Sequence, residues 1–334
     1  MTENHKIQLA SIGLGWWGEM LATAARPVAR ISQVYARSQQ ARDDFAARHS
    51  AKAAPDLNSI WADSSIDGVL IATPHSVRAE LVEAAAAAGK HVFVEKPLAL
   101  TVTEAERCVT ATRRANVILQ VGHNKRRQSA IRAMKTAIDA GEVGQIQAIE
   151  TEISLPLVYK PDLPQWRQEA EHLPAGGMTP LGVHMIDTIQ YLGGDISRVM
   201  AMITRVTDRL DLDDSTICLF ELATGPLATL STLIATGPVQ TVTVFGTEQV
   251  LWAEHDGTRL HRQIRGSLDR VEVPLEPVDT LVEELAEFVR CIETGERPET
   301  GGPEALSVVE VFEAVLESAE TGRAVPIGPD RTAR

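Results

Sequence analysis

Cysteine is scarce in this sequence. Its three copies, Cys108, Cys218 and Cys291, lie far apart along the chain. An odd number of widely separated cysteines has neither the spacing of a zinc site nor that of a redox pair. We therefore expect no metal site, and we expect a reducing compartment, the cytoplasm, as the location of the protein.

Positive charge and long apolar runs are also in short supply. The 32 lysines and arginines are outnumbered by 45 aspartates and glutamates, which gives a net charge of −13 at pH 7. A surface of this sign argues against binding to nucleic acid or to an anionic membrane. No apolar run reaches the length of a membrane span. The polar start, residues 1–6, leads straight into the first apolar run, so we expect no signal peptide.

The bulk composition is that of an ordinary globular protein. Hydrophobic residues make up 44% and charged residues 23% of the 334 positions, close to the average for globular domains, which argues against wholesale disorder. A chain of this length holds roughly two domains. The sequence contains no internal repeat and no low-complexity linker, so the boundary must be found from a change of pattern.

A glycine-rich turn organises the first half of the chain. It follows an apolar run at 7–12, typical of a buried strand, and precedes 19–26, which has helix-forming composition. Glycine-rich turns are common without a ligand, but strand, G-x-G-x-x-G and helix in this order favour a dinucleotide. The first glycine permits the tight turn, the second lets the backbone approach a pyrophosphate, and the third lets the helix pack closely. The turn consists of Gly13, Leu14, Gly15, Trp16, Trp17 and Gly18.

Strands and helices alternate as far as residue 121. Such alternation implies parallel pairing through right-handed crossovers, that is, an α/β doubly wound parallel sheet. Ligands of such sheets bind beyond the carboxyl ends of the strands. The predicted strands are 7–12, 31–36, 67–72, 91–94 and 117–121, and the predicted helices are 19–26, 39–48, 77–88 and 103–115.

The pattern changes after residue 127. A helix at 129–140 leads into strand-like runs without crossover helices, and hairpin turns are expected at 246–248 and 256–257. This pattern predicts an α+β domain with a large, mostly antiparallel open sheet. The predicted domains are therefore 1–124 and 125–334. Strands of the second domain are expected at 146–153, 199–206, 215–221, 227–233 and 240–245.

Amphipathic helices can cover one face of that second sheet. Apolar stripes mark 278–293 and 303–322, and a third helix is expected at 182–191. These helices cannot cover all of the late strands. We therefore expect part of the sheet to pair with a second subunit, in a homodimer or a homotetramer.

A lysine follows the predicted strand 91–94, in the loop Glu95-Lys96-Pro97. Taken alone, a loop lysine is usually just solvated. The following proline holds the backbone of Lys96 extended and so limits where its ammonium group points. Beside a cationic nicotinamide, such a lysine can have a lowered pKa and exchange a proton with a substrate hydroxyl.

The stretch 176–187 carries the second group of candidates. If the chain is helical from Val183, His184 and Asp187 share a helix face at spacing i,i+3. A histidine on an apolar helix is more often a core residue, and no third ligand at a characteristic spacing supports a metal. The glycines that precede the helix allow close approach of a ligand or of another backbone segment.

A long, proline-marked segment at 155–174 contains Trp166 and Arg167. A segment of this length without regular structure is often a lid or a binding loop, with disorder as the alternative. The tryptophan can cover an apolar ring face, and the arginine can donate a fork of hydrogen bonds to a polyol or a carboxylate.

Taken together, these segments resemble the glucose–fructose oxidoreductase / inositol dehydrogenase (Gfo/Idh/MocA) family. The resemblance implies a Rossmann domain followed by a domain with an open, mostly antiparallel sheet. It also implies an NAD(P)-dependent dehydrogenase or reductase of sugars, cyclitols or related hydroxy compounds. The matching segments are 13–18, Ala72-Thr73-Pro74, Ala88-Gly89-Lys90-His91-Val92 with Glu95-Lys96-Pro97, Gly122-His123-Asn124, and 176–187.

The resemblance assigns roles to individual residues. It implies that Lys96 and His184 are catalytic, against the solvated and core interpretations given above. The cofactor-binding positions it implies, besides the glycine turn, are Thr73, Pro74, His75, Glu95 and Lys96. The candidates for positioning substrate are Arg167, Trp166, Asp187, Arg126 and Asn124.

Two positions depart from the family pattern. Where the family often has an aspartate, four residues before the histidine, this chain has Pro180. Proline cannot orient an imidazole, so either Asp187 orients His184 or Lys96 acts alone. The stretch after Thr73-Pro74 often reads Asn-His-x-His, whereas here it reads His75-Ser76-Val77-Arg78.

The choice of cofactor follows from charge at the end of the second strand. NAD binding usually requires a carboxylate there, to accept hydrogen bonds from the ribose hydroxyls. This chain has Ala36-Arg37-Ser38 instead. Arg37 and Ser38 can bind a 2′-phosphate, the arginine through a charge-assisted contact. NADP(H) is therefore favoured, with NAD(H) as the alternative.

The sequence thus predicts an oxidoreductase that transfers a hydride between nicotinamide and a secondary alcohol or carbonyl of a sugar-like small molecule. Two alternatives stay open. One is a non-catalytic sensor that binds the nucleotide, which Pro180 favours and the presence of both Lys96 and His184 disfavours. The other is a redox-neutral lyase or glycosidase that retains its nicotinamide.

Overall fold

The computed structural model describes residues 6–161 and 163–328. The chain divides into two compact units. The first comprises residues up to His123 together with Asp279–Leu306, and the second comprises Asn124–Val278 together with the chain from Ser307. The predicted division differs in two places, because it assigned 279–306 to the second domain and Asn124 to the first.

The first unit contains a parallel sheet of six strands among the described residues, in the order β3-β2-β1-β4-β5-β6. This is the order of a doubly wound dinucleotide-binding sheet, so the predicted fold class is confirmed. Its elements are β1 (Gln8–Ile12), α1 (Trp16–Ala25), β2 (Arg30–Tyr35), α2 (Gln39–His49), β3 (Lys52–Ala53), α3 (Leu57–Trp61), β4 (Gly68–Ile71), α4 (Arg78–Ala87), β5 (His91–Val94), α5 (Val102–Ala115) and β6 (Leu119–Val121).

The central strands are buried on both faces. Every residue of β4 is buried, as are the last four of β1, which is why these segments read as continuous apolar runs. The sequence did not predict β3 and α3. Two and five residues are too short for a periodicity to register, and the clearest local signal is Asp56, whose side chain caps α3 by accepting from the Ser59 N–H at 2.8 Å.

The second unit contains a sheet with nine strands in the described part of the chain, in the order β14-β13-β12-β11-β7-β10-β9-β8-β15. All neighbours are antiparallel except β7 and β10, so the predicted mostly antiparallel sheet is confirmed, and the predicted turns at 246–248 and 256–257 join hairpin strands. Its elements are α6 (Ser129–Asp139), β7 (Ile146–Ser154), α7 (Gly182–Gly193), β8 (Ile196–Thr204), β9 (Ser215–Leu222), β10 (Leu227–Leu233), β11 (Val239–Gly246), β12 (Gln249–Glu254), β13 (Arg259–Ile264), β14 (Val271–Val273) and β15 (Val325–Pro326).

Two long helices, α8 (Thr280–Thr294) and α9 (Gly302–Thr321), lie between β14 and β15. Helix α8 was predicted to cover the antiparallel sheet, and that prediction is wrong. Its stripe is buried in the core of the first unit, where the rings of Phe288 and Phe93 meet edge to face at 5.9 Å. The Gln120 side chain also donates to the Glu284 backbone carbonyl at 2.8 Å. Apolar periodicity identified the buried side of the helix, but periodicity cannot identify what that side packs against.

The second sheet is covered on one face. Helix α7 packs on β7 and β10, and in α9 the Ser318 hydroxyl accepts from the Ala201 N–H of β8 at 2.9 Å. On the opposite face, β8 and β9 expose apolar side chains. We call this set the outer patch; it consists of Met200 opposite Leu219 and Met202 opposite Ile217. No helix in the described ranges is long and apolar enough to cross a membrane.

The Lys90-His91 dipeptide of the family motif has a structural role. The buried Lys90 ammonium donates to the backbone carbonyls of Asp63 and Ile66 at 2.6 and 2.9 Å. The Nδ1 atom of His91 accepts from the Ile118 N–H at 3.0 Å. Burial lowers the pKa of His91 below its ordinary 6.5, while the carboxylate of Asp67 opposes the shift. The motif therefore joins β5 to the segments before β4 and β6.

The lowered pKa of His91 predicts that the protein loses stability as the pH falls from 7.5 to 5.5. In this window the unfolded chain takes up a proton on His91 that the folded protein resists, so unfolding is favoured. In His91→Asn, whose amide oxygen can accept the same N–H, the loss should be smaller. Urea midpoints at the two pH values measure it, and an equal drop in both proteins would contradict the prediction.

Candidate functional site

The glycine turn after β1 is built from backbone contacts that exclude any side chain. Gly13 has φ +92°, and a Cβ atom there would lie 2.5 Å from the carbonyl oxygen of Ala72. A Cβ atom on Gly18 would lie 2.1 Å from the carbonyl oxygen of Gly13. The first and third glycines of the motif are therefore required by the fold itself, because the turn touches β4 on one side and α1 on the other.

The second glycine is different: apart from its immediate chain neighbours, no atom of the described residues lies within 4 Å of the position that its Cβ would take. Gly15 is the N-cap of α1 and has no side chain to accept from the first-turn N–H groups. A helix N-terminus with open space beside its cap residue is suited to bind a pyrophosphate. Trp16, the first helical residue, is 68% exposed beside it. The residues present thus fit a dinucleotide.

The end of β2 is basic. Arg37 is exposed, and Ser38 caps α2 by accepting from the Ala41 N–H at 3.3 Å. Arg42 was missed from the sequence: its guanidinium donates to the Ala36 carbonyl at 2.7 Å and lies 5.5 Å from the Tyr35 ring centroid. The sequence signal for this contact was the spacing from Ser38. Arg42 lies four residues later, so one turn of helix brings its side chain back to the end of β2.

A polar atom without a partner lies at the end of β4. The Thr73 hydroxyl is buried and makes no hydrogen bond to any residue that the structure describes. Pro74 and a short 3-10 turn, His75–Val77, follow it, and His75 is buried. Buried hydroxyls are normally hydrogen-bonded, so this one is available to a bound molecule at the carboxyl edge where the cofactor is expected.

The lysine loop at the end of β5 is buried. Glu95 is 4% and Lys96 is 8% exposed, which excludes the interpretation of Lys96 as an ordinary solvated lysine. The Lys96–Pro97 peptide bond is cis. A Cβ atom on Gly122, just after β6, would lie 3.2 Å from a carboxylate oxygen of Glu95. The glycine of Gly122-His123-Asn124 therefore makes room for the glutamate of the lysine loop.

In the second unit, Arg126 and Asp187 form a buried ion pair. The guanidinium donates to the two carboxylate oxygens at 3.0 and 2.5 Å, and the side chains are 7% and 1% exposed. Arg126 also lies over the Tyr191 ring, 4.7 Å from its centroid. The bidentate contact favours Asp187 as the partner of Arg126 over Asp187 as the group that orients His184. Asn124 begins the 3-10 turn that carries Arg126.

His184 lies in the first turn of α7 and is 4% exposed. The predicted helix is present, so His184 and Asp187 share a face as expected. Gly182 is needed for close packing, because a Cβ atom there would lie 2.2 Å from the sulfur of Met178. The Thr188 hydroxyl donates to the His184 carbonyl at 2.9 Å and reinforces this turn.

Pro180 and Arg167 line the same apolar pocket. The segment 155–174 forms two short 3-10 turns, Leu157–Tyr159 and Gln165–Gln168, and the Arg167 guanidinium lies 5.0 Å from the Trp166 ring centroid. An aspartate at position 180 would face leucines, so proline suits its surroundings. The other residues lining the pocket are Leu157, Leu163, Leu173, Leu210, Leu212 and Ile234.

Comparison with known proteins identifies the family. Residues 7–123 match the oxidoreductase family with an NAD-binding Rossmann fold, and residues 131–252 match the GFO/IDH/MocA C-terminal domain. The chain belongs to the Gfo/Idh/MocA family. It is an NAD(P)-dependent oxidoreductase, and both units match the order of domains that the family resemblance implied.

Similar proteins cover nearly the whole chain. A 1,5-anhydro-D-fructose reductase from Ensifer adhaerens is 28% identical over 83% of this chain and 84% of its own length. A D-xylose 1-dehydrogenase [NADP(+)] from Haloarcula marismortui is 25% identical over 95% of this chain and 92% of its own. A structure from Desulfitobacterium hafniense, provisionally named an NADPH-dependent oxidoreductase, has a TM-score of 0.92 at 28% identity, covering 96% of this chain and 97% of that one.

The glycine turn yields a matched pair of variants. Gly15→Ala should leave the melting temperature unchanged but weaken cofactor binding by about tenfold or more, because its methyl enters the space available to the pyrophosphate. Gly18→Ala should instead destabilise the fold by roughly 1–3 kcal/mol, because the methyl overlaps the Gly13 carbonyl. Thermal unfolding and cofactor titration measure both effects, and a large loss of stability in Gly15→Ala would contradict this interpretation.

Proposed function

We propose that this protein transfers a hydride between NADP(H) and a secondary alcohol or carbonyl of a sugar, cyclitol or related small hydroxy compound. The observation that carries the proposal is Lys96, an ionisable amine that is 92% buried at the carboxyl edge of the cofactor sheet. A lysine is buried only when its charge is compensated or when its proton is used. The bound nicotinamide supplies the hydride acceptor or donor.

In this proposal Lys96 exchanges the proton of the substrate hydroxyl, and His184 assists. A buried amine can have a pKa close to the working pH, which suits general acid–base catalysis. Arg167 and Trp166 contact the substrate. The bidentate ion pair of Arg126 with Asp187 holds the 3-10 turn at 124–127 against α7. Asn124 is the first residue of that turn.

The relatives support the substrate class. The reductase from Ensifer adhaerens is named for an anhydro sugar and the dehydrogenase from Haloarcula marismortui for a pentose. Both names describe interconversion of a carbonyl and a hydroxyl group on a carbohydrate.

A screen at 340 nm over sugars, anhydro sugars, cyclitols and sugar acids, with both cofactors, tests the activity. The proposal expects net NADPH or NADP⁺ turnover and a free carbonyl or alcohol product. Tight cofactor binding with no turnover on any compound would favour the sensor. Redox-neutral conversion with retained cofactor would favour the lyase or glycosidase.

The preference for NADP(H) rests on the end of β2. Arg37 and Arg42 bring two cationic groups to the turn that follows Ala36, and Ser38 adds a hydroxyl. A 2′-phosphate is stabilised by such groups, whereas the ribose hydroxyls of NAD are usually bound by a carboxylate. We expect Arg42 to hold the turn through its bond to the Ala36 carbonyl and Arg37 to contact the phosphate.

Ala36→Asp should weaken NADP binding far more than NAD binding, since the new carboxylate would repel a 2′-phosphate. The expected loss is about 1.5–3 kcal/mol, or roughly ten- to a hundredfold in affinity. Ala36→Asn, which is similar in size but neutral, serves as the control. Fluorescence titration with both cofactors measures the ratio. Equal NADP affinities in Ala36→Asp and the unchanged protein would refute the placement of the phosphate.

Lys96→Ala should lower turnover by about two to four orders of magnitude while cofactor affinity stays largely intact. His184→Ala should lower turnover less, because the usual aspartate partner of the histidine is replaced by Pro180 in this chain. Turnover of the two variants on one identified substrate measures the difference, with melting temperatures as the control for folding. A larger loss in His184→Ala would make the histidine the main proton-transfer group.

The outer patch of β8 and β9 fits a contact with a second copy of the chain. Its four apolar side chains are 47–77% exposed and form two cross-strand pairs. A closed twofold contact buries such a face against its own copy. The proposed assembly is a homodimer, or a homotetramer built from two dimers.

The double variant Met202→Lys/Ile217→Glu should be monomeric, because association would bury its two new charges in the contact. Within one subunit the two charges are opposite in sign and form a favourable cross-strand pair. Leu268→Lys, at a residue that is 96% exposed and outside the patch, should leave assembly unchanged. Light scattering at micromolar concentration distinguishes the species. A monomer already in the unchanged protein would refute this assembly.

A further inference from the structure

Arg78 is a buried cation that the proposed mechanism does not use. It is the first residue of α4 and is 5% exposed. Its Nε atom donates to the Thr73 carbonyl at 3.0 Å. Its Nη1 atom donates to the carbonyls of Glu95 and Pro97 at 2.8 and 2.6 Å. One guanidinium therefore binds three backbone carbonyls.

These carbonyls belong to two loops at the carboxyl edge of the parallel sheet. Thr73 follows β4, and Glu95 and Pro97 follow β5, directly before and after Lys96. A planar guanidinium holds its donors in a rigid fork, so groups bound to it keep a fixed separation. The contacts to Glu95 and Pro97 fix the backbone on both sides of the lysine, and the contact to Thr73 ties that backbone to the neighbouring strand end.

We infer that Arg78 is a positioning residue for Lys96: it holds the Glu95–Pro97 backbone so that the lysine amine is kept at the place where the substrate proton is transferred. The inference rests on the proposed role of Lys96. In this role Arg78 acts through the backbone carbonyls that it binds and exchanges no proton itself. A guanidinium is suited to this task because it stays charged and keeps its donors over the working pH range.

The expected size of the effect follows from geometry. Displacement of a reacting group by about 1 Å can cost on the order of a hundredfold in rate. Arg78→Met keeps an unbranched side chain but removes the guanidinium with all five donors, so kcat should fall about 10- to 100-fold. The KM and the cofactor Kd should change less than about threefold, because Arg78→Met removes no side chain that is expected to contact substrate or dinucleotide. Arg78→Lys retains donors without the planar fork, and should recover part of the loss.

A double-mutant cycle separates positioning from a general structural role. If Arg78 acts through Lys96, Arg78→Met should slow turnover in the unchanged protein but have little effect in a Lys96→Met background. Single-turnover assays with excess enzyme measure the slow variants. Arg107→Met is the matched control: Arg107 lies on α5 and forms an exposed ion pair with Glu83 of α4, and its loss should leave kcat unchanged.

Each outcome decides a different point. An Arg78→Met loss that is equally large with and without Lys96 would overturn the inference, as would full kcat in that variant. Near-normal turnover of Lys96→Met would instead refute the proposed role of the lysine. If Arg78→Met does not fold, the same cycle with Arg78→Lys decides, and a loss in kcat that vanishes in the Lys96→Met background supports the inference.

Discussion

The carboxyl edge of the parallel sheet depends on how closely α1 approaches the turn that precedes it. The Gly18 backbone lies against the Gly13 carbonyl, and the Gly13 backbone lies against the Ala72 carbonyl. These contacts bring the helix N-terminus and the ends of β1 and β4 together without side chains between them. The space left at Gly15 is a consequence of that packing, and the lysine loop after β5 lies along the same edge.

Much of this arrangement could be predicted, because its causes are local. Buried parallel strands have continuous apolar composition, and the glycine turn has a distinctive order of strand, turn and helix. The helix that carries His184 and Asp187 was predicted from its glycine start and its apolar face. The sequence could not predict which element a helix packs against. The stripe of α8 was recognised, but nothing in 278–293 indicates that it packs against α1 and, through Phe288, against Phe93 of β5, both far away in sequence.

The candidate site shows the same limit. The i,i+3 spacing predicted that His184 and Asp187 share a helix face. It could not show that Arg126 binds the Asp187 carboxylate, since these two residues are 61 positions apart. Burial of Lys96 depends on neighbouring elements too, whereas the contact of Arg42 with the end of β2 is local and could have been found from its helical spacing. The two departures from the family pattern were visible in the sequence, but their meaning required the structure: Pro180 lines an apolar pocket, and Arg78 binds three carbonyls.

The return of residues 279–306 to the first unit has a consequence for how the chain is made. The core around Phe93 is completed by Phe288, so the first unit cannot finish its core until segment 124–278 of the second unit and α8 as far as Phe288 have been synthesised. The second unit is in effect an insertion in the first. Its contacts can form before α8 is synthesised, except for those of its last segment, which begins at Ser307. An excised N-terminal fragment that ends near His123 would expose the apolar surface that α8 covers. A minimal cofactor-binding fragment should therefore join residue 123 to residue 279 through a short linker.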